Sequence, residues 1–271
     1  MQSPVIAIIG AGHMGSSLIT ALVQNGHPAD KIWATCPDQT KLNQLHHFFP
    51  IHTTTDNNLA VKQADILILA VKPQILQQVA LEIASQVEMR KPLIISIATG
   101  IRLASLQAWL GATIAIVRAM PNMPAMIGAG ATAMYANSIV NPEQLNLAET
   151  ILRSVGVVVW LPKESLIDAV TAISGSGPAY FFLLMEILLQ TAIDLGLAKD
   201  TALLLIKETA LGASRLAMES DHSFQELRQQ VTSPGGTTEK AISVLEEHHM
   251  QDIFKQAIIA AAKHAEELAR R

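Results

Sequence analysis

Over the first 160 residues, short apolar runs alternate with stretches whose apolar positions recur every three or four residues. The short runs predict strands at residues 5–9, 31–35, 64–71, 93–98, 113–118, 131–135 and 157–160. Helical spacing fits between most of them, as at 12–24, 74–88 and 142–154. Asp65-Ile-Leu-Ile-Leu-Ala-Val71 is apolar without alternation, as expected of a strand buried on both faces of a parallel sheet. Alternating strands and helices predict an α/β fold, a doubly wound Rossmann-type sheet. After about Leu161 strand signals stop. Helical runs follow at 164–195, 199–219, 223–231, 237–248 and 252–270. Residues 179–189 are apolar on more than one face, so a second wall must cover them. The pattern therefore divides the chain into a dinucleotide-binding region, 1–162, and an all-helical region, 163–271, that interlocks with a partner subunit.

Composition narrows the picture. Half of the 271 residues are hydrophobic and 15% are charged, an apolar balance that a subunit interface would absorb. A net charge of −4 and the lack of a basic cluster argue against nucleic acid as a partner. One cysteine, Cys36, excludes an intramolecular disulfide and fits a reducing compartment. The first apolar run is too short for a leader and enters a glycine loop. The greasy stretch 179–189, interrupted by Glu186, is shorter than a membrane span. A cytoplasmic enzyme is expected. The adjacent histidines, His46–His47 and His248–His249, lack metal-site spacing, so no metal is expected.

Gly10-Ala11-Gly12-His13-Met14-Gly15 follows a strand and opens a helix, the context that gives a glycine pattern meaning. Gly10 permits a tight turn, Gly12 lets pyrophosphate approach, and Gly15 brings helix and strand together. The helix start then offers unpaired amides to phosphate. The second strand ends in Trp33-Ala-Thr35-Cys-Pro37, with no acid before Asp38. A ribose 2′-phosphate would meet no carboxylate there, and Thr35 and Lys41 could help to hold it, so NADPH is expected ahead of NADH. Ala70-Val71-Lys72-Pro73 and Ile97-Ala98-Thr99-Gly100 end later strands, where open α/β sheets bind ligands.

Three further motifs follow in order: Arg118-Ala-Met-Pro-Asn-Met-Pro124, Ser174-Gly-Ser-Gly-Pro-Ala-Tyr180 and Val231-Thr-Ser-Pro-Gly-Gly-Thr-Thr238. With the glycine loop and Ala-Val-Lys-Pro they span the chain, which resembles the pyrroline-5-carboxylate reductase family. The resemblance implies a Rossmann domain, a helical domain intertwined in a homodimer, and further assembly into decamers. It implies reduction of 1-pyrroline-5-carboxylate to L-proline by NAD(P)H. It places cofactor contacts at Gly10, Ala11, Gly12, His13, Met14, Gly15, Thr35, Asn57, Ala70, Val71, Lys72, Pro73 and Ala98. Substrate contacts fall at Ser233, Gly235, Gly236, Thr237 and Thr238, with another at Glu164. Gln230 stands where some relatives carry Asn.

The residues make chemical sense of this. An imine accepts hydride best as the iminium, so a hydroxyl near the ring nitrogen helps, and Thr238 is the candidate. Backbone amides of Gly235, Gly236, Thr237 and Thr238, where loop enters helix, could hold the substrate carboxylate, although the same residues also suit a plain helix cap. Gly175, Ser176 and Gly177 break a helical run, either to admit substrate, with Ser176 contacting it, or only to let helices cross. A 6-phosphogluconate-type dehydrogenase would share the glycine loop, but it needs a lysine on the interdomain helix. None lies between Lys163 and Lys199. A silent dinucleotide-binding protein is the other alternative, and it would have no need of Thr238.

Overall fold

The structure is a computed structural model that describes residues 3–269. Eight strands form one sheet: β1 Ile6–Ile9, β2 Ile32–Thr35, β3 His52–Thr54, β4 Ile66–Leu69, β5 Leu93–Ser96, β6 Ile116–Met120, β7 Gly130–Ala136 and β8 Gly156–Trp160. Their order is β3-β2-β1-β4-β5-β6-β7-β8. Strand order reverses direction between β1 and β4, which run parallel with Ile6 opposite Ile66 and Ile9 opposite Leu69. Such a switch leaves a crevice at the carboxyl ends of the strands.

Helices α1 His13–Gln24, α2 Gln39–Phe48, α3 Asn57–Gln63, α4 Pro73–Arg90, α5 Leu103–Leu110 and α6 Pro142–Arg153 connect these strands. The strands bury residues on both faces, as the uninterrupted apolar runs require. Ile6 and Ile8 of β1 join Leu18, Ile19 and Leu22 of α1 in one core. Ala7 and Ile9 join Val61 of α3 and Leu76, Ala80 and Ile83 of α4 in the other. A fully buried Leu or Ile contributes roughly 1.5–3 kcal/mol, so these two layers fix β1, and with it the glycine loop at its end.

Two details depart from a uniformly parallel sheet. β7 runs antiparallel to β6, and β8 then runs parallel to β7. The connection from β6 to β7 contains only the short 3₁₀ turn Met123–Ile127, whereas a parallel crossover needs a dozen or more residues. The edge strand β3, with the polar sequence His-Thr-Thr, has no apolar run to announce it.

The helical run expected over 164–195, with a break at Gly175–Gly177, is α7 Leu166–Val170, a π-helical turn Thr171–Gly175, and α8 Gly177–Asp194. α9 Lys199–Glu219, α10 Phe224–Gln230, α11 Thr237–Glu247 and α12 Met250–Leu268 complete the chain. The expected last helix reached Arg270, which lies outside the described residues. Strands end at Trp160, close to the boundary expected at 162/163. By compactness, one unit runs to Ser176 and also includes the chain from Ala261 onward, and the other is Gly177–Ala260. Within the helical unit α8 lies beside α9, yet most of its apolar side chains stay exposed: Phe181 is 64% accessible, and Phe182, Leu183, Ile187 and Leu188 are similar. Among the described residues of this unit, no wall covers these side chains.

Candidate active site

β1 delivers Gly10 to the switch point. Its φ of +107° is open to glycine and strained for other residues, and its N–H donates to the Thr35 carbonyl at 3.0 Å. A Cβ at Gly10 would come within 2.6 Å of the Ala70 carbonyl oxygen, and one at Gly15 would run into the Gly10 carbonyl oxygen. Loop, strand and helix are thus closed tightly on one side. Gly12 is different. It is the N-cap of α1, no side chain caps the helix, no acid occupies its first turn, and a Cβ there would meet nothing within 4 Å. Unpaired amides at a helix start, beside open space and without a competing carboxylate, fit a pyrophosphate. His13 is exposed at the start of α1, while Ala11 and Gly15 are buried.

The second expected contact region closes around one hydrogen bond. Thr35 is 1% exposed and its hydroxyl donates to Asn57 Oδ1 at 2.6 Å. Asn57 in turn donates through Nδ2 to Glu82 at 3.3 Å. Thr35 therefore acts on its surroundings through Asn57, and the two expected contacts form one element. Asp38, the first acid after β2, caps α2: its Oδ1 accepts from the N–H groups of Thr40 and Lys41. Lys41 is exposed.

Next to Gly10, the Ala70 N–H donates to the Ile9 carbonyl at 2.8 Å. Val71 follows, half-buried. Lys72 is the exposed N-cap of α4 and Pro73 stands at its first turn, where a missing N–H costs nothing. Ala98 is buried just past the end of β5. Gly10–Gly15, Thr35, Asn57, Ala70–Pro73 and Ala98 thus all belong to the carboxyl side of the parallel strands and the loops leaving it.

Glu164 has partners of its own. Its Oε1 accepts from the Leu103 N–H at 2.8 Å, at the start of α5, and from Arg118 Nη1 at 2.9 Å. Arg118 is 2% exposed at the centre of β6, and its Nη2 lies 3.9 Å from Asp168 on α7. Asp168 also lies 3.5 Å from Arg102 Nη2. Two arginines and two carboxylates form a cluster in which the buried Arg118 and Asp168 are paired with each other and with the half-buried Glu164 and Arg102, the arrangement that makes buried charge tolerable. The family resemblance pointed to Glu164, whereas Arg118 stood in a motif without a role and Asp168 was not singled out. The signal was present: one arginine in an apolar strand, and two acids four residues apart. Ser176, half-buried, donates its N–H to the Thr171 carbonyl at 2.8 Å.

In the helical unit, the loop Thr232–Gly236 leads into α11, with Gly236 as N-cap. Gly235, at φ +72°, donates its N–H to Glu239 Oε2 at 2.7 Å, and Gly236 donates to the Ser233 carbonyl at 3.0 Å. Of four amides expected to face an anion, two are engaged inside the loop. Thr237 and Thr238, in the first turn, have amides without intrahelical acceptors. Ser233 and Thr237 are exposed and Thr238 is half-exposed. Among the described residues no group of three or more His, Cys, Asp or Glu side chains could hold a metal ion.

A doubly wound sheet with a glycine cradle at its switch point defines a dinucleotide-binding protein of the oxidoreductase type, and known proteins give this class a family. Residues 164–268 match the family model described as pyrroline-5-carboxylate reductase dimerisation, and residues 5–100 match NADP oxidoreductase, coenzyme F420-dependent. A pyrroline-5-carboxylate reductase of Pseudomonas aeruginosa is 44% identical over 269 residues, 99% of this chain and 98% of that one. A solved structure of the Coxiella burnetii pyrroline-5-carboxylate reductase is 44% identical, with a TM-score of 0.93 and 99% of each chain covered. The Plasmodium falciparum pyrroline carboxylate reductase, solved with NADP bound, is 27% identical with a TM-score of 0.89, again covering 99% of both chains. The chain belongs to the pyrroline-5-carboxylate reductase family.

Proposed function

We propose that this protein reduces 1-pyrroline-5-carboxylate to L-proline with NADPH, as the last step of proline formation. The observation that carries the reading is the pairing, in one chain, of an acid-free glycine cradle at the switch point with the exposed Ser233–Thr238 loop of the helical region. When bound, NADPH supplies the hydride. The amides opening α1 hold its pyrophosphate, Ala11, His13 and Met14 line that turn, and Ala70–Pro73 and Ala98 border the crevice farther along the sheet. Asn57, oriented by Thr35, serves the ribose, and Lys41 the 2′-phosphate.

On the substrate side, the amides of Thr237 and Thr238 hold the carboxylate, with Ser233, Gly235 and Gly236 shaping the loop around it. The Thr238 hydroxyl orients the ring nitrogen and its proton. A free hydroxyl has too high a pKa to supply that proton unaided, so solvent is its source. Glu164 and Ser176 are further substrate-side groups, Glu164 acting from the fixed position that Arg118 and Leu103 impose.

NADPH is favoured over NADH because Asp38 is committed to capping α2 and no other acid ends β2. Comparing kcat/KM for the two cofactors with pyrroline-5-carboxylate tests this. A higher value with NADPH is expected, and a clear NADH preference contradicts it.

The run Leu166–Asp194 is long and apolar enough, by length and composition alone, to cross a membrane, and little of it is buried. The stretch read as too short for a span is thus part of a longer apolar helix. We assign that face to a second copy of the chain, since the dimerisation match covers it. The reading is a cytoplasmic homodimer, associating further into decamers.

A further inference from the structure

In the motif Arg118-Ala-Met-Pro-Asn122, Arg118 fixes Glu164 but Asn122 takes no part in the assignments above, yet both polar side chains reach the same segment. Arg118 pairs with Glu164 and lies near Asp168 on α7. Asn122 donates from Nδ2 to the Ser174 carbonyl at 3.1 Å, inside the π-helical turn, while its Oδ1 accepts from the Ala131 N–H at 2.9 Å. The reason for the Ser174 contact lies four residues along the chain. In a continuing α-helix the Ser174 carbonyl would accept from residue 178, and Pro178 has no N–H. A part-buried carbonyl without a donor costs about 1–3 kcal/mol, and Asn122 offers the missing one.

The turn so held is not remote. A Cβ at Gly175 would come within 2.7 Å of the Met120 methyl, and the Thr99 hydroxyl lies 3.7 Å from Met120 Sδ. The π turn therefore lies past the carboxyl ends of β5 and β6, bordering the crevice of the sheet, and it carries Ser176. π turns are rare and concentrate at functional sites.

We propose that Asn122 is a positioning residue: its side-chain N–H stands in for the one that Pro178 lacks, and so sets the π turn and Ser176 against the crevice. The inference rests on the reductase reading for its effect on turnover, but not for the hydrogen-bond exchange. Asn122→Asp keeps the acceptor for Ala131 and removes the donor. Pro178→Ala restores a backbone N–H at residue 178.

The test is a double-variant cycle on the full-length protein, read by thermal unfolding, NADPH affinity and kcat/KM for pyrroline-5-carboxylate. Asn122→Asp should lower the melting temperature and lower kcat/KM about tenfold, the equivalent of one net hydrogen bond, with NADPH affinity unchanged. Pro178→Ala should behave nearly as wild type, and the double variant should recover both stability and kcat/KM. A double variant no better than Asn122→Asp overturns the exchange. Recovered stability with kcat/KM still depressed overturns the positioning role. If Asn122→Asp does not fold, folding of the double variant supports the exchange and its failure to fold refutes it. A wild-type protein without reductase activity defeats the proposed function alone, and the stability cycle still decides the exchange.

Discussion

Gly12 and Gly15 are three residues apart and carry opposite constraints. Gly15 is required by the fold, because its Cβ would meet the Gly10 carbonyl, whereas Gly12 faces open space. Gly12→Val should therefore fold with the melting temperature of the wild type. It should lose the stabilisation that NADPH gives, which is about 2.7 kcal/mol at a hundred times the dissociation constant. Thermal unfolding with and without NADPH checks this; an unchanged NADPH shift would remove Gly12 from the binding site. Thr238→Ala should lower kcat by about ten- to a hundredfold, one or two hydrogen bonds' worth, while NADPH affinity holds. Equal loss of both would make the loop structural. The glycine loop was legible because three glycines between a strand and a helix have few other uses, whereas the threonines of α11 also suit a plain helix cap. Asp168 and the roles of Arg118 and Asn122 were not legible, since what they do depends on partners far along the chain, 46 residues away for Arg118 and 52 for Asn122.

At the scale of elements, apolar runs and helical spacing marked the positions of β1, β2, β4 and β5, because each is buried on both faces. β3 escaped because a polar edge strand carries no such pattern; β7 was expected at 131–135, and only its antiparallel direction escaped, because direction follows from a connection's length, not from the strand. The break in the long helix was visible in Ser-Gly-Ser-Gly-Pro, but its π geometry depends on Asn122. The turn between α1 and β2 holds a pH-sensitive group. Burial holds the His27 imidazole below its ordinary pKa, and its Nε2 is buried without a hydrogen-bond partner. Between the lowered value and the ordinary one, the unfolded chain binds a proton that the folded chain does not. Stability is thus present above the ordinary histidine value and falls as pH drops below it. His27→Gln should flatten that slope in chemical unfolding between pH 7 and pH 5. An unchanged slope would exclude His27 as its source.

For the whole molecule, the sequence implied more apolar surface than one chain can bury, and α8 displays it. On the proposed reading a second copy covers Phe181, Phe182 and Ile187. Light scattering in detergent-free buffer should give a mass that is an even multiple of the chain's 29.1 kDa, with a dimer or decamer expected. A stable, active monomer would contradict the assignment. The central claim is the reaction itself. Hydride moves from cofactor to the imine carbon, so NADPH deuterated at the transferred C4 position should place one deuterium on the δ carbon of L-proline, seen by NMR. Folded protein that binds NADPH yet forms no deuterated proline from pyrroline-5-carboxylate would contradict it.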